Sequence, residues 1–512
     1  MSGPEPASCD LLVIGGGVNG TGIARDAAGR GLSVVLCEQD DLAAHTSSAS
    51  TKLIHGGLRY LEEFHFSLVR KALREREVLL GAAPHIMRPL HFVMPHAAHL
   101  RPAWLLRAGL FVYDHLAARR RLAASAAIDL RRHIAGRPLK DSYRRGFVYS
   151  DGQVDDARLV VLNALDARAR GATILTRTRC VRLTPAGAGW SALLATAGGE
   201  RAHTARAVVN ATGPWVSRFL AAAMPARAAH QLRLVKGSHV VVPQLFAHRF
   251  AYIFQNEDRR IVFAIPYERD FTLLGTTDVD YHGDPAAVRI DAAEIAYLCA
   301  LANRYFRQQI APADVVWSYS GVRPLLEDES PDPMSVTRDY TLELDRHPAP
   351  LLSVFGGKIT TYRRLAEEAV SRLTAELGRR AAAWTARAPL PGGDLPEGSL
   401  AVFLLTLERR YPWLPAPLRV RYARAYGTRV ERVLGAAATR ADLGRELLPQ
   451  LHEREVEYLC QEEFARTAQD ILWRRSKLGL HLLQSDLSPL EHWLAANARD
   501  TPRGGDAPPR SA

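Results

Sequence analysis

A chain of 512 residues exceeds one typical core and calls for several domains. Its 47% hydrophobic content excludes a disordered chain, and apolar runs broken by Arg or Gly within about a dozen residues exclude a bilayer-spanning helix. The net charge of +12 suits nucleic acid, anionic lipid or a phosphorylated substrate, or reflects a general preference for Arg.

In chain order, "DLLVIGGGVNGTGIARDAAGRGLSVVLCEQDDL" reads as strand, tight turn, helix, strand. Leu11–Ile14 is a continuous apolar run, as a strand buried on both faces requires. Val18–Gly29 has helical spacing, Gly31 ends it, and Val34–Cys37 forms the second strand. Further strands are predicted at Ala172–Thr176 and Ala207–Asn210. From Gln231 to Asp280, "LRLVKGSHVVVP", "AYIFQNEDRRIVFAIP" and "FTLLGTTDVD" give the pattern of an antiparallel sheet. Leu351–Phe355 is a short apolar strand before "GGKITTYRRLAEEAV", which starts a helix. After the linker "APLPGGDLPEGS" the chain is helical to about residue 497, and its last dozen residues read as a disordered tail. Five scattered cysteines without a CxxC pair fit reduced thiols in a cytosolic setting and offer no structural metal site. No charged segment with an apolar core opens the chain, so secretion by signal peptide is not expected.

Gly15, Gly17 and Gly20 match G-x-G-x-x-G, with Asn19 inside the motif, between a strand and a helix. There the glycines allow the tight turn, the approach of a pyrophosphate, and close helix–strand packing. The positive end of the helix favours the phosphates. Glu38 ends the second strand about 20 positions on, where an acid accepts hydrogen bonds from a ribose hydroxyl and disfavours NADP. The choice lies between NAD and FAD. The second strand runs straight into "DDLAAHTSSASTKLIHGGLRY", and "NATGPW" (with Gly213) and "SVFGGKITTYR" look like late returns to the same cofactor. FAD, being long, suits several distant loops better. Gly356 and Gly357 open a helix whose positive end would face the flavin pyrimidine ring; a plain strand-to-helix turn is the competing reading. Only six lysines stand among 66 basic residues, and Lys52, Lys236 and Lys358 fall in these motif-like stretches, marking places that need a compact ammonium.

These stretches, together with "YSDGQVDDARLV", "GTTDVDYHGDP", "WSYSGVRPL" and the late "ILWRRSKLGL", resemble the FAD-dependent glycerol-3-phosphate dehydrogenases of the respiratory, membrane-associated type. The glycine block is shared by many flavoproteins, whereas "KLIHGGLRYLE" and "YSGVRPL" are far more specific. The resemblance implies an α/β plus α+β architecture: a Rossmann-like FAD domain of the glutathione-reductase or DAO-like type, a β-rich substrate domain and a C-terminal helical domain. The expected division is 8–80, 145–225 and 345–385 for FAD; 81–144 and 226–344 for substrate; 386–500 for the helical domain; and 501–512 for the tail. It also implies oxidation of sn-glycerol 3-phosphate to dihydroxyacetone phosphate, with hydride passing from C2 to flavin N5 and electrons to a quinone. The expected setting is the inner face of the cytoplasmic membrane, as a peripheral protein and often a homodimer.

Such chemistry needs a base for the C2 hydroxyl, cations for the phosphate, and a flavin against C2. His55 is the expected base, its pKa suiting proton transfer near neutrality; a hydrogen bond to flavin or backbone is the alternative. Gly56 and Gly57 would admit the flavin ring, and Arg59, four residues from His55 on one helical turn, would clamp phosphate. Tyr60 borders the same site, though core packing explains it as well. Arg323, in a loop of "SGVRPL", suits the substrate oxygens, or else an interdomain salt bridge. Lys358 would stabilise negative charge at flavin or substrate, with Thr360 beside it. Thr276, Thr277 and Asp278 line the pocket or form a plain β-turn. Thr46, Ser47, Ser48, Ser50 and Lys52 would run along the FAD pyrophosphate.

Residues 99–122, with Trp104, Phe111, Arg101, Arg107 and Arg119–Arg121, read as a basic amphipathic helix for an anionic membrane surface, or as a buried helix at a domain junction. Competing functions are an oxygen-using glycerophosphate oxidase, an amine or amino-acid oxidase, and an RNA-modifying flavoprotein. The several cations favour a dianionic phosphate over a carboxylate, and no basic-aromatic nucleic-acid motif or reactive thiol pair supports the last.

Overall fold

A computed structural model describes residues 7–97, 100–224, 232–256, 260–326 and 339–497. The expected tail, and His99 at the start of the membrane candidate, lie outside these residues.

The first sheet grows from Ala7–Ile14, whose interior residues are fully buried because both faces are covered. It pairs in parallel with Val34–Cys37 on one side and Gly199–Asn210 on the other; Thr173–Leu175 and Leu351–Phe355 extend the parallel order outward. Thr341–Asp345 closes one edge antiparallel to Leu351–Phe355. A meander of Arg179–Ala186 and Gly189–Thr196 attaches to Gly199–Asn210. The helices Val18–Gly29, Asp156–Ala169 and Tyr362–Glu376 pack together, sharing one core with Leu11, Val13, Ile23, Val160 and Leu365. This is the doubly wound arrangement, with the glycine turn at the carboxyl end of its first strand.

The second sheet has ten strands and is mainly antiparallel, the pair Met87–Pro95 with Ala251–Gln255 being parallel. Its strands alternate strictly: Val240 and Val242 face the helix Ala292–Tyr305, whereas Val241 faces a second core with Phe92, Tyr113 and Tyr149. Arg145–Val154, expected in the nucleotide domain, instead pairs with Met87–Pro95, and its end takes up Leu53–Ile54. The two sheets are thus stitched together by the chain that leaves the glycine turn.

A third core, between Leu395 and Leu490, is built by short helices and a two-stranded hairpin, Glu446–Leu448 with Leu451–His452. It docks through charge: Arg474 and Arg475 on Asp41, Arg158 on Glu463, Arg177 on Asp470. Aromatic stacking of Trp473 on Trp317, centroids 4.3 Å apart, ties it to the second sheet.

Candidate active site

The glycine turn is shaped for a ligand. Gly15 has φ +114°, and a Cβ at Gly20 would fall 1.9 Å from the Gly15 carbonyl oxygen. Only bare backbone permits that approach of helix to strand. Ser47 Oγ accepts from the Val18 N–H at 2.9 Å, and Gly17, at the helix N-terminus, has no side-chain cap. Glu38 accepts from the N–H groups of Gly16 (2.6 Å) and Asp40 (2.9 Å), one on each carboxylate oxygen. Each oxygen keeps a second acceptor position. Burial pushes the Glu38 carboxyl above its usual range.

A cavity of about 520 Å³ runs from this turn, lined by Gly15, Gly17, Glu38, Thr46, Ser47 and Gly213. Part of its outer wall, Arg179–Leu183 from the meander, was not legible in the sequence; Trp215, the last residue of "NATGPW", completes it, its ring meeting His45 edge-on at 4.8 Å. "NATGPW" shapes its floor. Asn210 is fully buried, donates to the Val216 carbonyl and accepts from the Thr212 hydroxyl, fixing the turn that presents Gly213. Asn19 Nδ2 donates to the Gly356 carbonyl at 3.3 Å, while its Oδ1 is buried without a hydrogen-bond partner among the described residues. A bare glycine cradle, an acid at the second strand's end and an orphaned amide oxygen fit a dinucleotide whose far end reaches Gly356.

Beyond the cavity three segments converge. The first is Thr46–Tyr60. Thr46 Oγ1 donates to the Val322 carbonyl, and Ser48 Oγ to the His45 carbonyl. Ser50 and Lys52, expected along the pyrophosphate, turn the other way: Ser50 Oγ donates to Asp156 at 2.7 Å, and the Lys52 ammonium lies 2.8 and 3.0 Å from the Asp156 oxygens. Lys52 is 2% exposed, so the compact cation there neutralises a buried carboxylate. Although burial alone would push the Asp156 carboxyl up, Lys52 and Lys477 hold it below its ordinary value.

His55 and Arg59 do not share a helical turn. His55 follows the strand Leu53–Ile54, Gly57 has φ +78° in the left-handed region, and only Leu58–Leu61 winds, as a 3₁₀ turn. The glycine resets the chain direction between them, so a spacing of four has no helical meaning. The His55 N–H donates to Thr360 Oγ1 at 3.2 Å, and its ring meets Phe263 edge-on at 6.5 Å. Arg59 lies 3.6 Å from Glu63.

The second segment is Gly356–Thr360. Both glycines have positive φ, and Lys358 precedes a 3₁₀ turn, so the helix begins at Tyr362. The Lys358 ammonium sits over the Tyr60 ring, 3.8 Å from its centroid, which brings the first and second segments together.

The third is Trp317–Leu326. The sequence reads Arg323 as a loop residue; it lies in a strand, opposite Val235, with Pro324 opposite Leu234. Proline is tolerated because this strand is at the sheet's edge. Arg323 Nη1 bonds the Asp278 carboxylate, and Nη2 donates to Thr276 Oγ1 at 3.1 Å. Thr277 Oγ1 donates to Glu294 at 2.6 Å and holds the turn from behind. Next to them is a histidine that the apolar run "GSHVVV" concealed. His239 stacks on Tyr319 (4.8 Å), and its Nε2 meets Thr51 Oγ1 at 2.9 Å. Burial, then the charges of Arg323 and Lys52, push its pKa well below the histidine value, so the ring is neutral. Its Nδ1 is buried without a partner among the described residues.

A dinucleotide cradle on a doubly wound sheet, ending where basic and imidazole side chains of a second sheet converge, defines a flavin-dependent oxidoreductase. Residues 10–396 match the family described as FAD dependent oxidoreductase, and residues 383–496 match the C-terminal domain of alpha-glycerophosphate oxidase. The chain is 54% identical over 505 residues to a glycerol-3-phosphate dehydrogenase of Pseudomonas aeruginosa, covering 98% of both. It is 50% identical to a D-erythritol 1-phosphate dehydrogenase of Brucella abortus, covering 96% of this chain and 98% of the relative. The crystal structure of the glycerol-3-phosphate dehydrogenase from Bacillus halodurans complexed with FAD superposes with TM-score 0.78 at 29% identity, over 97% of this chain and 92% of that one. The protein belongs to the FAD-dependent glycerol-3-phosphate dehydrogenase family.

Proposed function

We propose that this protein oxidises sn-glycerol 3-phosphate to dihydroxyacetone phosphate and passes the electrons to a quinone at a membrane surface. The observation that carries the reading is the convergence of three segments beyond the dinucleotide cavity: Thr46 and Thr51 bond the second sheet at Val322 and His239, His55 is held by Thr360, and Lys358 sits over the Tyr60 ring. Arg323 and Lys358 supply positive charge for the substrate oxygens, and Arg59 is the cation placed for the phosphate. His55, held by Thr360, takes the C2 hydroxyl proton. His239, neutral through burial, steadies Thr51 and the Tyr319 ring behind it. Bound FAD supplies the acceptor for the C2 hydride. Asp278 holds Arg323 in place by ion pairing, leaving a planar guanidinium oriented before substrate arrives.

No described helix is long and apolar enough to cross a membrane, so access to a quinone requires docking on the surface. The surface that supports docking is aromatic: Trp104 is 71% exposed and Phe111 55% on the helix Ala103–His115, with Phe64 77% exposed nearby. The helix ends at His115, so Arg119–Arg121 fall after it; Arg119 pairs with Asp114, and the backbone of Arg120 and Arg121 donates to Glu77. Of this basic run only the Arg119 side chain is paired with an acid in these bonds, and in this reading the exposed apolar side chains of the helix carry the contact.

The test is anaerobic mixing of the purified holoprotein with glycerol 3-phosphate while following flavin absorbance. Bleaching is expected; glycerol or an amino acid bleaching in its place would overturn the reading. D-erythritol 1-phosphate, added in competition, distinguishes the substrate of the Brucella relative. Reoxidation faster with a ubiquinone analogue than with oxygen is expected, and the reverse order would assign an oxidase.

A further inference from the structure

Behind the His55–Gly57 segment lies a buried polar chain that none of the roles above uses. The Gly56 N–H donates to the Tyr113 hydroxyl at 2.9 Å. That hydroxyl donates to the Asp151 carboxylate, whose oxygens lie 2.8 and 2.9 Å away. Arg76 Nη1 donates to Asp151 at 2.5 Å and to the Ser150 carbonyl at 3.0 Å. All three side chains are about 2% exposed, and their surroundings are apolar: Leu53, Val69, Leu73, Leu110 and Tyr149. They come from three separate elements, the helices Phe66–Ala82 and Ala103–His115 and the strand Arg145–Val154.

A charge pair so placed yields little net stability, because desolvation offsets its attraction; its effect is to specify one arrangement. Here the arrangement terminates on a single backbone group, the Gly56 N–H, next to His55. A Cβ at residue 56 would lie 2.6 Å from the Tyr113 oxygen, so the contact requires glycine. In the preceding peptide, the His55 N–H is held by Thr360. The two consecutive amides are pinned in different directions, and with them the plane that carries the His55 ring.

We propose that Tyr113 and Asp151, backed by Arg76, are positioning residues that fix the His55–Gly57 segment against flavin and substrate. This rests on that segment being the site of chemistry, as in the function proposed above. Their hydroxyl and carboxylate act through the backbone and do not touch the reacting atoms. Loss of the hydroxyl leaves the fold's apolar contacts intact but frees the amide plane, and a displacement of order 1 Å at a reacting group costs up to about 100-fold in rate.

Tyr113→Phe tests it, prepared as holoprotein and compared with the parent in three measurements. Expected are a fall in kcat of about tenfold or more with KM within about twofold, a changed visible circular dichroism of the bound flavin without substrate, and unchanged FAD content. Asp151→Asn, which keeps an acceptor for the hydroxyl, is expected to give the same signature in weaker form. Unaltered kcat and flavin spectrum in Tyr113→Phe would overturn the proposal. So would losses that follow FAD content alone, or failure of both variants to form holoprotein, since either makes the chain purely structural. The flavin spectrum is read without substrate, so it separates this proposal from the identity of the substrate: a parent enzyme not bleached by glycerol 3-phosphate refutes the function and leaves the spectral test standing.

Discussion

The Arg475 guanidinium grips the Asp41 carboxylate with two bonds, Nη1–Oδ2 at 2.6 Å and Nη2–Oδ1 at 2.8 Å. Arg474 adds a third at 2.6 Å, and Arg475 also donates to the Glu463 carbonyl. Asp41 stands three residues after Glu38, on the loop that folds over the glycine turn, where the Ala43 N–H donates to the Gly16 carbonyl. The helical domain therefore braces the dinucleotide end of the cavity without lining it.

Arg475→Met should lower stability by roughly 3–5 kcal/mol, because it removes one partner from a fully buried ionic cluster. Urea titration of the holoprotein measures this, and FAD should be released at lower urea than in the parent. A change below about 1 kcal/mol would show that Arg474 alone holds Asp41.

The elements that sequence reading placed correctly are those whose signal is local. Val18–Gly29 is bounded by a glycine turn and Gly31, and Leu351–Phe355 is a continuous apolar run. The strand Arg145–Val154 is not read from the sequence, because its pairing with Met87–Pro95 joins residues roughly 50–70 positions apart and nothing local records a partner. Asp156–Ala169 left no amphipathic stripe, being buried on nearly every side. In the site, glycines and charged residues in polar stretches stood out. His239 and Asp151 did not, since each sits inside a strand and its polarity is satisfied by residues far away in sequence, Thr51 and Tyr113. Lys52 was singled out by its rarity, but the reason for the ammonium is Asp156, a residue its own segment does not contain.

Lys52→Met separates a structural from a cofactor role. With Asp156 buried and losing its nearest cation, a cost of roughly 3–5 kcal/mol is expected, reduced to the extent that Lys477 at 3.8 Å compensates. The surviving folded protein should bind FAD with affinity within about threefold of the parent, by titration of the apoprotein. A large loss of affinity with stability unchanged would return Lys52 to the cofactor.

His85 makes stability depend on pH. It is 4% exposed, neither ring nitrogen has a hydrogen-bond partner among the described residues, and burial, then Arg158, pushes its pKa down to about 3. The folded state therefore holds the ring neutral while the unfolded chain protonates near pH 6.5. Between these values the unfolded state binds the extra proton, so stability is full above about pH 6.5 and falls as pH drops towards 3. At pH 5 the loss is about 2 kcal/mol relative to pH 8. His85→Met should remove that increment, narrowing the gap between the urea midpoints at pH 8 and pH 5. An equal gap in parent and variant would show that His85 titrates normally.

Surface docking can be separated from electrostatic attraction by changing the aromatic residues alone. Trp104 and Phe111 project from a helix whose opposite side, Leu110 and Tyr113, is buried in the second core, so their substitution leaves that core untouched. The neighbouring loop joins the same face: Arg101 pairs with Glu62 at 3.4 Å, and the Phe64 and Phe66 rings lie 6.1 Å apart. Burying one such side chain in the interface is worth about 1.5–3 kcal/mol, so Trp104→Ser with Phe111→Ser together should weaken partitioning onto phosphatidylglycerol vesicles by about 100-fold or more. Cosedimentation measures it, and flavin bleaching in solution should be unchanged because neither residue meets the cavity. Binding by the parent should persist in part at about 1 M salt, where charge attraction is screened within a few ångströms. Vesicle binding that survives the double substitution, or that vanishes from the parent in high salt, would assign docking to basic residues elsewhere on the surface.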